Sequence, residues 1–254
     1  MTRPFVRLVG VTKTYHAGAQ EFLAVRDVTL DVEEGELVSI VGPSGCGKST
    51  VLSILAELQA ASGGTVEIGT PDSPFTPGRD VGMVFQKALL LKWRTIIDNV
   101  MLPAEILGLP RRASRERARD LLEMVGLSKF ADAYPQQLSG GMQQRASIAR
   151  ALVHDPKLIL MDEPFGALDA LTRERMNLEL LRIWRESSKT ILFVTHGIQE
   201  AVFLGSKVAV MTAGPARMAA QFEIDLPEPR TLDVKTTEKF GNYTREIYHL
   251  LGMH

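Results

Sequence analysis

The run Gly42-Pro43-Ser44-Gly45-Cys46-Gly47-Lys48-Ser49-Thr50 has the spacing G-x-x-x-x-G-K-S/T. Its glycines let the backbone curl until successive N–H groups face one point, and a helix opening at Lys48 adds a partial positive charge there. Lys48 contributes a full charge. Such a turn is built to hold phosphate oxygens, and the neighbouring Ser49 hydroxyl is suited to Mg2+. Cys46 occupies a position that the spacing leaves free and reads as a small filler, not a nucleophile. A phosphate cradle needs a carboxylate for the metal, and Leu158-Ile159-Leu160-Met161-Asp162-Glu163 places two acids at the end of an apolar run. Asp162 is the expected metal residue. Glu163, just beyond the strand, is placed to polarise the water that attacks a γ-phosphate. The chemistry these residues point to is Mg2+-assisted attack on the γ-phosphate of a nucleoside triphosphate.

The elements that must position them are legible from period and composition. Leu37 to Val41 is apolar and β-branched, and it leads through the glycine-rich turn into a helical pattern from Lys48 to Glu57. Residues 4–40 read as strands with an antiparallel start, broken at Glu34-Gly35. From about 90 to 155 the pattern is helical, with Ala118, Leu121, Leu122 and Val125 on one face. Strands at 158–162 and 190–196 flank a helix from about 170 to 187, the wiring of a parallel β-α-β unit. After Gly214-Pro215 the tail carries little signal beyond a short helical end near 238–251. The fold class is therefore α/β.

Composition narrows the function classes. The 254 residues carry a net charge of −1, with 45% hydrophobic and 23% charged residues, which excludes a disordered chain and a membrane bundle. A charge near zero also argues against wrapping nucleic acid. The single cysteine excludes an internal disulfide and suits a reducing compartment. The opening MTRPFVRLVGVTKTYH alternates like a strand and lacks the pattern of an export leader. No run of about 18 apolar residues occurs, so any membrane role is expected to be peripheral.

Leu138-Ser139-Gly140-Gly141-Met142-Gln143-Gln144-Arg145 resembles the signature of the nucleotide-binding subunits of ABC transporters. The resemblance extends over residues 5–215. It implies a P-loop NTPase (RecA-like) core with an N-terminal antiparallel β region and an inserted α-helical subdomain. One ABC ATPase domain would then span 1–254, with 1–89 and 156–215 as nucleotide-binding core, 90–155 as helical signature subdomain and 216–254 as tail. It further implies a head-to-tail homodimer in which Ser139, Gly140 and Gly141 of one subunit close over the ATP held by Gly42–Thr50 of the other. Tyr15 matches the aromatic that stacks on adenine. Gln86 matches the glutamine that touches Mg2+ and the attacking water, Asp169 the loop that crosses the dimer interface, and His196 the switch histidine on the γ-phosphate. Lys48, Gln86, Glu163 and His196 form the implied catalytic set, and Ser49, Gln86 and Asp162 the implied metal set. His16 and His154 have no match and are expected to be structural. Met142, Gly197, Gly205 and Glu57 depart from the usual pattern, which questions local helix ends.

The stretch KALLLKWRTIIDNVMLPAEILGLP is expected to line a groove for a helix of a membrane permease, with Leu91 and Trp93 as candidate lining residues. Together with LSGGMQQRASIARAL and DEPFGALDALTRERMNLEL it looks most like the importer branch for nitrate, sulfonates and taurine. Such a subunit works at the cytoplasmic face of the inner membrane and meets its solute-binding protein only indirectly. The cluster Arg111, Arg112, Arg115, Arg117 and Arg119 is interleaved with acids and reads as a solvated face, without nucleic acid. A non-transport ABC switch, a P-loop kinase and an inactive cassette are the alternatives. The first usually carries two cassettes or a coiled coil, the signature counts against the second, and the intact Lys48, Asp162, Glu163 and His196 count against the third.

Overall fold

The computed structural model describes residues 3–18, 20–187 and 189–252. Two sheets organise them. The strands β1 (Val6–Ala17), β2 (Gln20–Val32) and β4 (Gly63–Ile68) form an antiparallel sheet in the order β2-β1-β4. A six-stranded sheet runs β5-β6-β7-β3-β8-β9, from β3 (Leu37–Val41), β5 (Val81–Val84), β6 (Leu158–Asp162), β7 (Thr190–Thr195), β8 (Lys207–Met211) and β9 (Met218–Glu223). Its pairs are parallel except β8 with β9. The expected α/β core and antiparallel start are both present.

The central strands are apolar on both faces because both faces are covered. Leu37 and Val41 of β3, Ile159 and Met161 of β6, and Ile191 and Phe193 of β7 belong to one core. Val38, Ile40, Leu158, Leu160, Leu192 and Val194 turn to the other, shared with α1 (Lys48–Leu55) and the antiparallel sheet. The period of 2 thus allots residues of each strand to two separate cores. The first core also takes the inner faces of α2 (Ile96–Ile106), α3 (Arg111–Met124) and α4 (Gly140–Leu152), with those of α5 (Ala170–Ser187) and α6 (Ile198–Leu204). On α3 and just after it, Ala118, Leu122 and Val125 are buried and Leu121 packs against them, the face the pattern predicts. The arginines on the other side meet acids: Arg112 with Glu116, Arg115 with Asp98 and Arg117 with Asp155.

Helix ends depart from the sequence reading at the questioned positions. Helix α1 stops at Leu55, two residues before the expected end, and Glu57 has φ 57°. A glutamate thus occupies left-handed backbone that glycine takes without penalty, at about 1 kcal/mol. Gly205 has an ordinary φ of −70°, but a Cβ there would lie 2.6 Å from the Lys207 carbonyl oxygen, so space and not dihedral freedom calls for glycine. The tail carries more structure than its sequence suggests. Helix α7 (Glu238–Leu250) buries Phe240 and Ile247. Arg230, 3% exposed, donates to the carbonyls of Val202, Phe203 and Gly205 at 3.3, 2.9 and 2.8 Å. A cation thereby closes the carboxyl end of α6.

Candidate functional site

Adjacent parallel strands end side by side, and each end carries a residue singled out above. Val41 pairs with Thr195, Asp162 with Val194 and Val84 with Met161. Gly42 therefore follows β3, Glu163 follows β6, His196 follows β7, and Gln86 lies two residues past β5. The carboxyl edge of a parallel sheet is where such folds collect ligands.

The Gly42–Gly47 turn delivers the chain to α1. A Cβ on Gly42 would come within 2.5 Å of the Met211 carbonyl oxygen, and Gly47 has φ 112°. Both are places where only glycine fits. No side chain caps α1, so its first N–H groups stay available at the turn. Lys48 is 4% exposed, and its Nζ donates to the carbonyls of Gly42 and Pro43 at 2.8 and 2.9 Å. Cys46 is buried and free, as a filler should be. Tyr15 reaches the same helix: its hydroxyl donates to Gln59 Oε1 at 2.6 Å and lies 3.5 Å from Thr50 Oγ1.

Ser49 Oγ donates to Asp162 Oδ1 at 2.9 Å, joining loop and strand end. Burial pushes the Asp162 carboxyl above its usual value and the charge of Glu163 adds to this, while the Ser49 hydrogen bond and Lys48 oppose it. A carboxylate so placed gains from a divalent cation. The hydroxyl, carboxylate and amide oxygens of Ser49, Asp162 and Gln86 are the hard donors that Mg2+ takes.

Glu163 has φ 46°, a conformation costing a non-glycine residue about 1 kcal/mol. Its N–H donates to the Val194 carbonyl at 2.9 Å, which fixes the turn. The carboxylate accepts from Gln86 Nε2 at 3.0 Å, and His196 Nδ1 lies 3.4 Å from the same Oε2. Gln86, Glu163 and His196 therefore converge on one point beside the phosphate turn.

The signature residues stand elsewhere. Ser139 caps α4, its Oγ accepting from Met142 N at 3.3 Å, and Gly140 faces open space. A Cβ on Gly141 would touch Leu168 Cδ2 at 3.0 Å, so signature and the loop before Asp169 pack together. Asp169 caps α5 by accepting from Thr172 N at 3.0 Å. Among the described residues no hydrogen bond or ion pair links Ser139, Gly140 or Gly141 to Gly42–Thr50. The two unmatched histidines have local partners: His154 Nε2 meets the Val81 carbonyl at 3.0 Å, and His16 lies 3.3 Å from Glu21.

An apolar groove of about 320 Å³ lies behind Gln86, lined by Phe85, Leu89, Leu102, Ile106 and Arg150 among others. Neither Leu91 nor Trp93, the two residues expected there, is part of its lining. Trp93 is exposed, on a turn over residues 91–95 that precedes α2.

Sequence reasoning also missed Glu200. Thr195 Oγ1 donates to Glu200 Oε2 at 2.5 Å and accepts from Gly197 N at 3.0 Å, so Glu200 braces the backbone on both sides of His196. An acid on the first turn of a helix that starts at a strand end was the available signal. Burial raises the Glu200 pKa, against the lowering charges of Arg173, His196 and Lys235. The folded chain then binds this proton more tightly than the unfolded one. The sign follows: stability from this group is lost as pH rises from the ordinary carboxylate value of 4.5 through the raised one, and regained as pH falls. Melting temperatures of the parent and Glu200→Gln at pH 7.5 and 5.0 should shift in the parent's favour at the lower pH. A difference independent of pH would rule out this titration.

A family model described as ABC transporter matches residues 25–166. An uncharacterized ABC transporter ATP-binding protein of Methanocaldococcus jannaschii is 43% identical over 246 residues, covering 97% of this chain and 91% of that one. A taurine import ATP-binding protein of Rhizobium johnstonii is 44% identical over 233 residues, covering 90% and 88%. Among solved structures, a dimeric bacterial ABC transporter cassette superposes with a TM-score of 0.78 at 37% identity, covering 86% of this chain and 98% of that one. The same cassette is also known in a post-hydrolysis state bound to ADP and Pi.

Proposed function

The chain belongs to the ABC transporter family as an ATP-binding subunit that hydrolyses ATP, and from that premise we propose that it powers import of a small anionic solute of the taurine, sulfonate or nitrate class. The observation that carries the mechanism is the meeting of Gln86, Glu163 and His196 beside the Ser49–Asp162 pair. In this reading the uncapped start of α1 and the Gly42–Thr50 turn bind the phosphates, and Lys48 exchanges its two carbonyls for phosphate oxygens. Tyr15 supports the adenine. Ser49, Asp162 and Gln86 hold Mg2+, which when bound neutralises charge on the phosphate oxygens. Glu163 accepts the proton of the attacking water, Gln86 orients that water, and His196 holds the γ-phosphate by a hydrogen bond.

That, among the described residues, no hydrogen bond or ion pair joins the signature to the phosphate turn of the same chain supports a head-to-tail pair. Ser139, Gly140 and Gly141 of each subunit complete the site of the other, and Asp169 lies at the crossing. In the domain division, 1–89 and 156–215 bind nucleotide, 90–155 carries the signature and 216–254 is the tail. The groove behind Gln86 receives a helix of a membrane permease at the cytoplasmic face of the inner membrane, and a solute-binding protein acts on the far side. Among the described residues no helix is long and apolar enough to cross a membrane, which leaves the spanning segments to that partner.

The solute is tested by uptake. Cells lacking the chain should lose uptake of labelled taurine, of an alkanesulfonate or of nitrate, and recover it with the parent sequence but not with Glu163→Gln. Unchanged uptake of all three would overturn the solute assignment and leave the ATPase standing.

A further inference from the structure

Three side-chain hydrogen bonds tie the segment after β5 to helix α4. Gln144, 2% exposed, donates to the Phe85 carbonyl at 2.9 Å. Arg150 donates to the carbonyls of Ala88 and Leu89 at 2.7 and 2.8 Å. Gln86, whose amide reaches Glu163, stands between the two attachments.

The chemistry of this strap is specific. Among the described residues no carboxylate forms an ion pair with Arg150, and burial lowers its pKa, so its charge is met mainly by carbonyl dipoles. Leu89 meanwhile has φ 46°, backbone that a leucine avoids. A desolvated cation and a strained turn meet at the same two carbonyls, and each is tolerated because of the other. Such strain persists only where its surroundings fix it.

The helix that makes the strap begins at the Ser139 cap, and Gly141 in its first turn packs on Leu168. At 1.5 Å per residue its 13 residues form a rod of about 20 Å, with the signature at one end and Arg150 near the other. Leu89 and Arg150 also line the groove. A molecule pressed into that groove bears directly on the strapped carbonyls.

We propose that Gln144 and Arg150 are positioning residues for hydrolysis: by binding the carbonyls of residues 85, 88 and 89 to the signature helix, they hold Gln86 against Glu163. This rests on the roles given above to Gln86 and Glu163.

The test measures steady-state ATPase of the full chain with Arg150→Lys and Gln144→Met, each alone and combined with Gln86→Ala, with melting temperatures alongside. Arg150→Lys keeps the charge but not the fork that spans two carbonyls, and Gln144→Met keeps the volume. Each should lower kcat, by about tenfold for Arg150→Lys, while KM for ATP stays within about twofold, since the fault lies in placement and not in nucleotide binding. On the Gln86→Ala background the same changes should cost less than about twofold more, because they act through Gln86. Amide exchange over residues 85–91 should speed up in both single variants. If Arg150→Lys loses its melting transition, Gln144→Met carries the test. Full kcat in the folded variants, or equal losses on both backgrounds, would overturn the strap alone. Full turnover in Gln86→Ala would overturn the site assignment and the strap with it.

Discussion

Replacing Glu163 with Gln should leave ATP binding intact and cut turnover by about 10² to 10⁴, the usual worth of a general base. The substitution removes charge but little shape. A glutamine oxygen can still accept from Gln86 Nε2, which lies 3.0 Å from the present carboxylate, and the backbone at φ 46° and its bond to Val194 are untouched. What goes is the acceptor for the proton of water. With hydrolysis stalled, ATP should hold two chains together, and light scattering during size exclusion should register an ATP-dependent doubling of mass. Undiminished hydrolysis would remove Glu163 from its role. A mass of one chain at saturating ATP would remove the self-sufficient sandwich from the proposal.

Lys48→Ala should act earlier, on binding itself. The ammonium rests on the Gly42 and Pro43 carbonyls, 96% screened from solvent by the turn it serves, so no solvated cation takes its place when it is cut away. A charge-assisted hydrogen bond to a phosphate contributes about 1.5–3 kcal/mol, so ATP affinity should fall by about 10- to 160-fold in titration calorimetry. Affinity unchanged by the substitution would contradict the phosphate assignment. The two variants are complementary: one keeps nucleotide and loses chemistry, the other loses nucleotide.

The parts of this molecule that could be read from its sequence are those with local rules. Strand β6 runs from Leu158 to Asp162 and helix α5 from Ala170 to Ser187, as the apolar run and the helical period indicate. The phosphate turn is legible because its chemistry forces glycines into fixed positions. Glu163 is singled out by its strand-end position and Gln86 and His196 by resemblance, yet their convergence depends on the strand order β5-β6-β7-β3, which no local pattern contains. Gln144 and Arg150 escaped notice because each grips a carbonyl 59 to 62 residues away, and any residue type offers a carbonyl. The apolar groove draws Leu89, Leu102 and Ile106 from the segment expected to line one but not Leu91, and Trp93 stands exposed on a turn outside it. Glu57 was noticed as unusual, and the physical reason is a left-handed backbone there.

Because synthesis runs from the amino terminus, every strand and helix that shapes the phosphate turn leaves the ribosome before Arg230 does. Until that guanidinium arrives, the carbonyls of Val202, Phe203 and Gly205 lack their donor, and the helix that follows His196 has an open end. The nascent chain therefore owns a phosphate cradle well before it owns a firm switch. Order of birth thus makes Arg230 a late latch on the helix that follows His196, added after the phosphate turn is already in place.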